Sequence, residues 1–372
     1  MQLEISYILF GVLCLFALLQ IAYHYKYFAK FAFRKNKELS QVSLPVSIII
    51  CARNEVKNLE DNLPLIFGQK YPDFEVVVVN DASWDKTGDF INELSKHESR
   101  LKTVHISEDM KRMDGKKLAL TLGIKASKHE ILLFTDADCI PASENWISEM
   151  VKPYSNPETE IVLGYSPYKK KNGLLNLLIQ METLLTATSY FSFALKGKPY
   201  MGVGRNLSYK KSLFFNVKGF ASHHHIAAGD DDLFVQDAAT NKNTAVCYSK
   251  DSFMETIPQK QVSGWFRQKK RHLFVGKFYK ATFKNSLGSF AFIHLFFWLS
   301  LTAVIIVKPS IWWWALIALG IKWIADGIII FKSFQKLKQK LKVIWLPVFD
   351  LLFIPYNLVF GVVSVFSKQK KW

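Results

Sequence analysis

Glu130-Ile-Leu-Leu-Phe-Thr-Asp-Ala-Asp-Cys139 is the stretch on which the fold turns. An unbroken apolar run of this length suits a strand buried on both faces of a parallel sheet. It stops abruptly in two carboxylates, Asp136 and Asp138. Two earlier stretches follow the same plan. Val46-Ser-Ile-Ile-Ile50 runs into Cys51-Ala-Arg-Asn-Glu55, and Glu75-Val-Val-Val-Val79 runs into Asn80-Asp-Ala-Ser83. Segments of mixed charge and helical character fill the gaps, at 56–68 and 84–99. Strands that alternate with helices, each ending in polar residues, predict an open α/β sheet. Such sheets bind ligands outside the carboxyl ends of their strands.

At i and i+2 of a strand end, Asp136 and Asp138 emerge on one face. Hard carboxylate oxygens there suit Mg²⁺ or Mn²⁺, and such an ion can neutralise a diphosphate leaving group. Taken alone, a pair of acids at a strand end is often only a solvated cap. Its place as the third such strand end gives the metal reading its weight. Asp81 closes the second strand, either as an Asx turn or as a carboxylate for the base or ribose of a nucleotide. Arg53, Asn54 and Glu55 hold the equivalent place after the first strand. Asp114-Gly-Lys-Lys117 precedes a helix that starts near Leu118, so Lys116 and Lys117 are placed for donor phosphates, unless the stretch is an ordinary charged turn.

Gly229-Asp-Asp-Asp232 is the second acidic cluster. Three adjacent carboxylates repel, and two reasons account for keeping them. A helix N-terminus stabilises Asp, and a carboxylate can also serve as general base toward an attacking hydroxyl. His223, His224 and His225 read as a polar loop, since three consecutive histidines do not easily face one ion. Trp265-Phe-Arg-Gln-Lys-Lys-Arg-His272 reads as a basic amphipathic stretch lying on a membrane.

The rest of the chain is membrane-like. Residues 5–25 form an apolar run long enough to cross a bilayer, and positive charges follow it instead of preceding it, as in an uncleaved anchor. The flank Lys26, Lys30, Arg34, Lys35 and Lys37 predicts that the next domain is cytoplasmic. Residues 287–307 and 311–331 are two further expected spans, with Lys322 and Asp326 paired one turn apart in the second. A loop with five lysines follows at 332–342. The stretch 343–366, with Pro347, Asp350 and Pro355, is read as a third span or a re-entrant hairpin. If it spans, the tail lysines 368, 370 and 371 fall on the unfavoured side. Residues 173–195 are apolar too, but Glu182 and their place inside the α/β region favour a buried or interfacial helix. The expected organisation is an anchor (1–27), a basic juxtamembrane linker (28–44), the α/β domain (45–255), an interfacial basic segment (256–286) and a membrane region (287–372).

With 48 Lys and Arg against 31 Asp and Glu, the net charge of +17 reads as contact with anionic headgroups and phosphate-bearing substrates, not nucleic acid, given the apolar spans. Four scattered cysteines without CxxC spacing argue against a zinc ribbon and a disulfide framework, and fit a reducing cytoplasm.

Together these motifs resemble the inverting glycosyltransferase family 2, whose catalytic domain has the GT-A fold, a nucleotide-sugar-binding, Rossmann-like mixed sheet, here expected to be flanked by transmembrane helices. The likeness covers roughly residues 45–275. It rests on Cys51-Ala-Arg-Asn-Glu55, Asn80-Asp-Ala-Ser83, Gly115-Lys-Lys117, Thr135-Asp-Ala-Asp138, Gly202-Val-Gly-Arg-Asn206, Gly229-Asp-Asp-Asp232 and Gln268-Lys-Lys-Arg-His272, in that order. The resemblance implies that Asp81 binds the nucleotide, usually uridine. It implies that Asp138 ligates Mg²⁺ or Mn²⁺, while Asp136 contacts donor sugar or ribose. Asp231 would be the catalytic base and Asp230 the acid before it, with the register among three aspartates open. Gln268 and Arg271 match a Gln-x-x-Arg-Trp motif that engages the donor diphosphate and the acceptor side. His272 replaces its Trp, which bears on acceptor stacking. The implied activity is transfer from a nucleotide sugar, expected to be a UDP-sugar, to a lipid or lipid-linked acceptor. A processive polysaccharide synthase and an inactive membrane scaffold or transport protein are the rivals.

Overall fold

The computed structural model describes residues 2–35, 39–110, 115–339 and 343–366. Lys37, Asp114, Lys340, Lys342 and the tail lysines named above lie outside them. The chain divides into two compact units, one drawn from Met1–Lys35 and Tyr279–Phe366, the other from Asn36–Phe278.

The second unit is built on a seven-stranded sheet. Its strands are β1 (Val46–Ala52), β2 (Phe74–Asp81), β3 (Leu101–Ile106), β4 (Ile131–Asp136), β6 (Ile161–Leu163), β7 (Leu207–Lys210) and β8 (Thr244–Val246), in the order β3-β2-β1-β4-β7-β6-β8. The three strands legible in the sequence, β1, β2 and β4, lie side by side and parallel. β7 is antiparallel to β4 and to β6, which makes the sheet mixed. A small antiparallel pair, β5 (Cys139–Pro141) with β9 (Met254–Thr256), sits just past the end of β4.

β-branched residues fit this pleated surface, and both faces of the central strands are covered. Ile48, Ile50, Val76, Val78 and Leu133 belong to one buried cluster with Leu59, Leu63 and Ile66 of α2 (Val56–Phe67), and with Trp146 and Met150 of α5 (Trp146–Val151). Each such Ile, Leu or Val contributes about 1.5–3 kcal/mol by leaving water. The other face takes α4 (Lys117–Ala126), which approaches so closely that a Cβ on Gly123 would stand 2.9 Å from both Ile49 and Val79. α3 (Thr87–Ser95) lies between β2 and β3 in sequence, and α7 (Lys211–Asn216) follows β7. Between β1 and β2, Ser47 donates to Glu75, which also accepts the Lys128 amide.

Helix α6 (Leu174–Leu195) is the apolar stretch that could be mistaken for a span. It folds within this unit, burying Leu184, Tyr190, Phe191 and Phe193. α8 (Asp232–Ala238) carries the acidic cluster at its start, and α9 (Val262–Gly276) carries Gln268 to His272.

The first unit contains α1 (Gln2–Ala32), α10 (Ala281–Val307), α11 (Trp312–Lys336) and α12 (Leu346–Phe366). All four are long and apolar enough to cross a membrane. α12 is one continuous helix with Pro355 inside it, so a hairpin turn does not interrupt the stretch. Lys322 does face Asp326, at 3.5 Å, but it stands nearer Asp350, at 2.8 Å.

Candidate active site

The site is assembled at the carboxyl ends of β1, β2 and β4, where parallel register brings Ala52 opposite Asn80 and Cys51 opposite Asp136. The loops leaving β1 and β2 are stitched together. The Asn54 amide donates to Ser83 Oγ at 3.0 Å, the Trp84 amide to Asn54 Oδ1 at 3.0 Å, and the Glu55 amide to Thr87 Oγ1 at 3.0 Å. Asn54 and Ala82 both take left-handed backbone, φ 58° and 51°, to make these turns. Asp81 is buried at the last position of β2. Arg53 has no hydrogen bond or ion pair among the described residues. Burial pushes the Glu55 carboxyl up; the Asn58 amide opposes this, and the charges of Asp138 and Asp136 add to it.

Asp136 and Asp138 stand together as expected. Their carboxylate oxygens and the Cys139 sulfur lie within 4.8 Å of one another. Asp138 accepts from Cys139 Sγ at 3.4 Å and from Thr256 Oγ1 at 3.3 Å, and it has no ion-pair partner among the described residues. Burial holds the Cys139 thiol well above its usual range, so it stays protonated and leaves the ligand role to the oxygens. Two hard carboxylates, one without a cation, fit a divalent ion such as Mg²⁺ or Mn²⁺. Asp136 is paired with Lys116. Burial opposes both charges, yet Lys116, then Arg205 and Arg271, hold the Asp136 carboxyl below its usual range. Asp136, Cys51 and Asp230 likewise outweigh burial to hold Lys116 above its own.

The two lysines of Gly115-Lys-Lys117 part company here. Lys116 enters the site, while Lys117 is fully buried and donates to the carbonyls of His223 at 2.6 Å and Ile226 at 2.8 Å. Burial pushes its ammonium down to about 8. Lys117 therefore supports the loop before the acidic cluster instead of reaching for a donor phosphate. Gly115, at φ +94°, completes that contact, since a Cβ there would stand 1.9 Å from the Ala227 carbonyl. His223 pairs with Asp237 and His224 bonds the Ala221 carbonyl, so the three histidines do not converge.

In the acidic cluster the aspartates differ. Asp231 caps α8: its Oδ1 accepts from the Asp232 amide at 2.8 Å, and its Oδ2 accepts from the Gly204 amide at 2.9 Å. Burial, then the charge of Asp230, push its carboxyl up to about 6. Asp230 is half-buried, and its charge reaches Lys116 and Cys51 on the strand-end side.

α9 is tied into the same unit. Lys269 pairs with Glu182 of α6 at 2.5 Å, and Gln268 Nε2 donates to Tyr168 Oη at 3.1 Å. Arg271 is near enough to depress Asp136. His272 is exposed on α9, beside the cations Lys269, Arg271 and Arg205. Sequence reasoning assigned no role to Tyr168, Thr256 or Arg205. Arg205 lies in the quoted Gly202-Val-Gly-Arg-Asn206, whose Asn206 is buried and bonded to Trp146, Tyr165 and Ser252.

A mixed α/β sheet with a paired-acid motif at the end of β4 has the architecture of the GT-A fold. The architecture matches the mannosyltransferase PcManGT from Pyrobaculum calidifontis, solved with GDP-Man and Mn²⁺, at a TM-score of 0.56 and 19% identity over 92% of this chain and 100% of that one. Residues 47–217 match the family model of glycosyl transferase family 2. Similar curated proteins include the poly-β-1,6-N-acetyl-D-glucosamine synthase of Staphylococcus epidermidis, 26% identical over 37% of this chain and 32% of that protein. Another is glycosyltransferase AglE of Haloferax volcanii, 32% identical over 34% of this chain and 41% of that protein. The matches thus span 32% and 41% of those two relatives' lengths.

Proposed function

We propose that this protein transfers a sugar from a nucleoside-diphosphate sugar, with uridine as the expected nucleoside, to a lipid or lipid-linked acceptor at the membrane. The observation that carries the reading is Asp138 beside Asp136 at the end of β4, with Asp136 paired to Lys116 and Lys116 in turn under the charge of Asp230. Asp81 and the stitched β1 and β2 loops form a place for the nucleoside, with Arg53 and Glu55 at its edge. Lys116, Gln268 and Arg271 supply positive or donor groups for the diphosphate, and Asp136 meets the ribose or sugar. When bound to Asp138, Mg²⁺ or Mn²⁺ would neutralise the charge that builds on the departing diphosphate.

The reaction is a single displacement. An acceptor hydroxyl forms a bond to the anomeric carbon as the bond to the diphosphate breaks, inverting that centre. The hydroxyl proton passes to a carboxylate. Asp230 suits that role better than Asp231, because both oxygens of Asp231 already hold backbone amides. His272 borders the acceptor side. The basic flank of α1 supports a cytoplasmic domain in a cell-membrane protein.

Thermal melting of the full chain in detergent tests the reading. Uridine diphosphate is expected to raise the melting temperature only with Mn²⁺, and Asp138→Asn is expected to abolish that shift. A wild-type chain that no nucleoside diphosphate stabilises, with or without metal, would point to the scaffold instead.

A further inference from the structure

Arg205 and Tyr168 take no part in the reaction as described, yet three parts of the site meet at them. Arg205 lies on the short turn Gly204–Asn206 before β7. Its half-buried guanidinium is fully directed. Nε donates to Ser166 Oγ at 3.0 Å, Nη2 to the Ser166 carbonyl at 3.3 Å, and Nη1 to Tyr168 Oη at 3.0 Å. It also lies over the Tyr168 ring, 4.8 Å from the centroid. Tyr168 Oη receives a second donor, Gln268 Nε2, at 3.1 Å.

The backbone around this pair leads to both acidic motifs. Tyr168 forms a parallel bridge with Thr256, whose hydroxyl donates to Asp138. Gly204, next to Arg205, gives its amide to Asp231. The Tyr168 carbonyl is held in turn by Gln180 of α6, at 2.7 Å. A guanidinium offers a rigid planar fork and a stacking face, so one side chain can fix both the ring and the hydroxyl of Tyr168. Gln268 has a long, rotamer-rich side chain that loses freedom when it binds a ligand. Holding it beforehand removes that cost from the binding step.

We propose that Tyr168 is a positioning residue for donor binding: its hydroxyl, oriented by Arg205, fixes Gln268 and with it the face of α9 that presents Arg271 to the diphosphate. The inference rests on the reading of the site as one for a nucleoside-diphosphate sugar.

Calorimetric titration of the full chain with uridine diphosphate and Mn²⁺ tests it, with guanosine diphosphate as a second probe. Tyr168→Phe keeps the ring and removes only the hydroxyl. It is expected to weaken binding by about tenfold without moving the melting temperature, as the loss of one positioning bond would. Gln268→Met should show a loss, and the double variant should bind no more weakly than Gln268→Met alone, because both act through one bond. Arg205→Lys, which cannot hold Ser166 and Tyr168 together, should reproduce the Tyr168→Phe loss, and it decides the matter if Tyr168→Phe does not fold. Binding by Tyr168→Phe or Arg205→Lys within twofold of wild type overturns the inference, as do losses that multiply in the double variant. A wild-type chain that binds neither nucleotide overturns the donor reading itself, and the relay with it.

Discussion

Asp230, Asp231 and Asp232 are indistinguishable as letters and separate only through their surroundings. Gly229 turns the chain at φ +84°, and a Cβ there would stand 2.8 Å from Leu233 and 3.0 Å from Val275 of α9. That bend and the approach of Gly204 bring Asp231 onto two amides and leave Asp230 toward Lys116. Sequence reasoning found the cluster and favoured Asp231 as the base, with the register among the three open; the contacts that distinguish them join residues distant in the chain, so spacing could not reveal them. The same holds for Lys116 and Lys117, sorted by the start of α4. The expected outcome of Asp230→Asn is donor binding kept and kcat lowered by about a thousandfold or more. Asp231→Asn should retain measurable transfer and lower stability by about 0.5–2 kcal/mol through the weakened cap. Full activity in Asp230→Asn with none in Asp231→Asn would return the base to Asp231. The pH profile carries the same logic. The raised Asp231 carboxyl takes up a proton as pH falls through about 6, which weakens its hold on the Gly204 and Asp232 amides beside Asp230. Transfer by the wild type should therefore fall below that pH. Asp231→Asn removes the group that titrates there, so the acid limb of kcat should move to lower pH, and an unmoved limb would detach Asp231 from the rate.

At the scale of elements, β1, β2 and β4 were legible because buried parallel strands are written as unbroken β-branched runs. β6 and β8 have three residues each and β7 has four, too short for any period to show, so the mixed character of the sheet was implied by the family resemblance and not by the residues of these strands. Pro355 marked a possible break in the last apolar stretch, yet α12 continues through it. What ties α12 to its neighbours is Asp350, which accepts from Lys322 at 2.8 Å and Trp323 at 2.9 Å of α11 and lies 3.0 Å from His294 of α10. Asp326 extends the network to His24 of α1, 2.5 Å away. Every helix of this unit contributes a group. Removing one partner strands a charge in an apolar setting, which costs about 3–5 kcal/mol in buried pairs. Asp350→Leu alone is expected to reduce the yield of folded protein extracted from membranes. Lys322→Met with Asp350→Leu should recover much of that yield, since neither charge is then left over. A double variant as poor as the single one would show that the network acts by some means other than charge pairing.

For the whole molecule, the charge excess and the apolar ends pointed to a membrane protein with a phosphate-handling domain, and four candidate spans with a GT-A unit agree with that reading. The order of seven short motifs made the family legible, while the network joining Tyr168, Arg205 and Gln268 was not, because its members lie up to 100 residues apart. Product size is where the readings divide. His272 stands where the motif has Trp, which favours a small glycolipid over a long polymer. The most direct measurement is to supply the purified chain in lipid vesicles with labelled nucleotide sugars and Mn²⁺, then follow where the label goes. The account predicts label extractable into organic solvent as a small glycolipid, lost on chelation and absent with Asp138→Asn. High-molecular-weight, solvent-insoluble label would replace the glycolipid reading with that of a polymerase. No transfer from any nucleotide sugar, or transfer undiminished in Asp138→Asn, would contradict the central claim of metal-assisted glycosyl transfer.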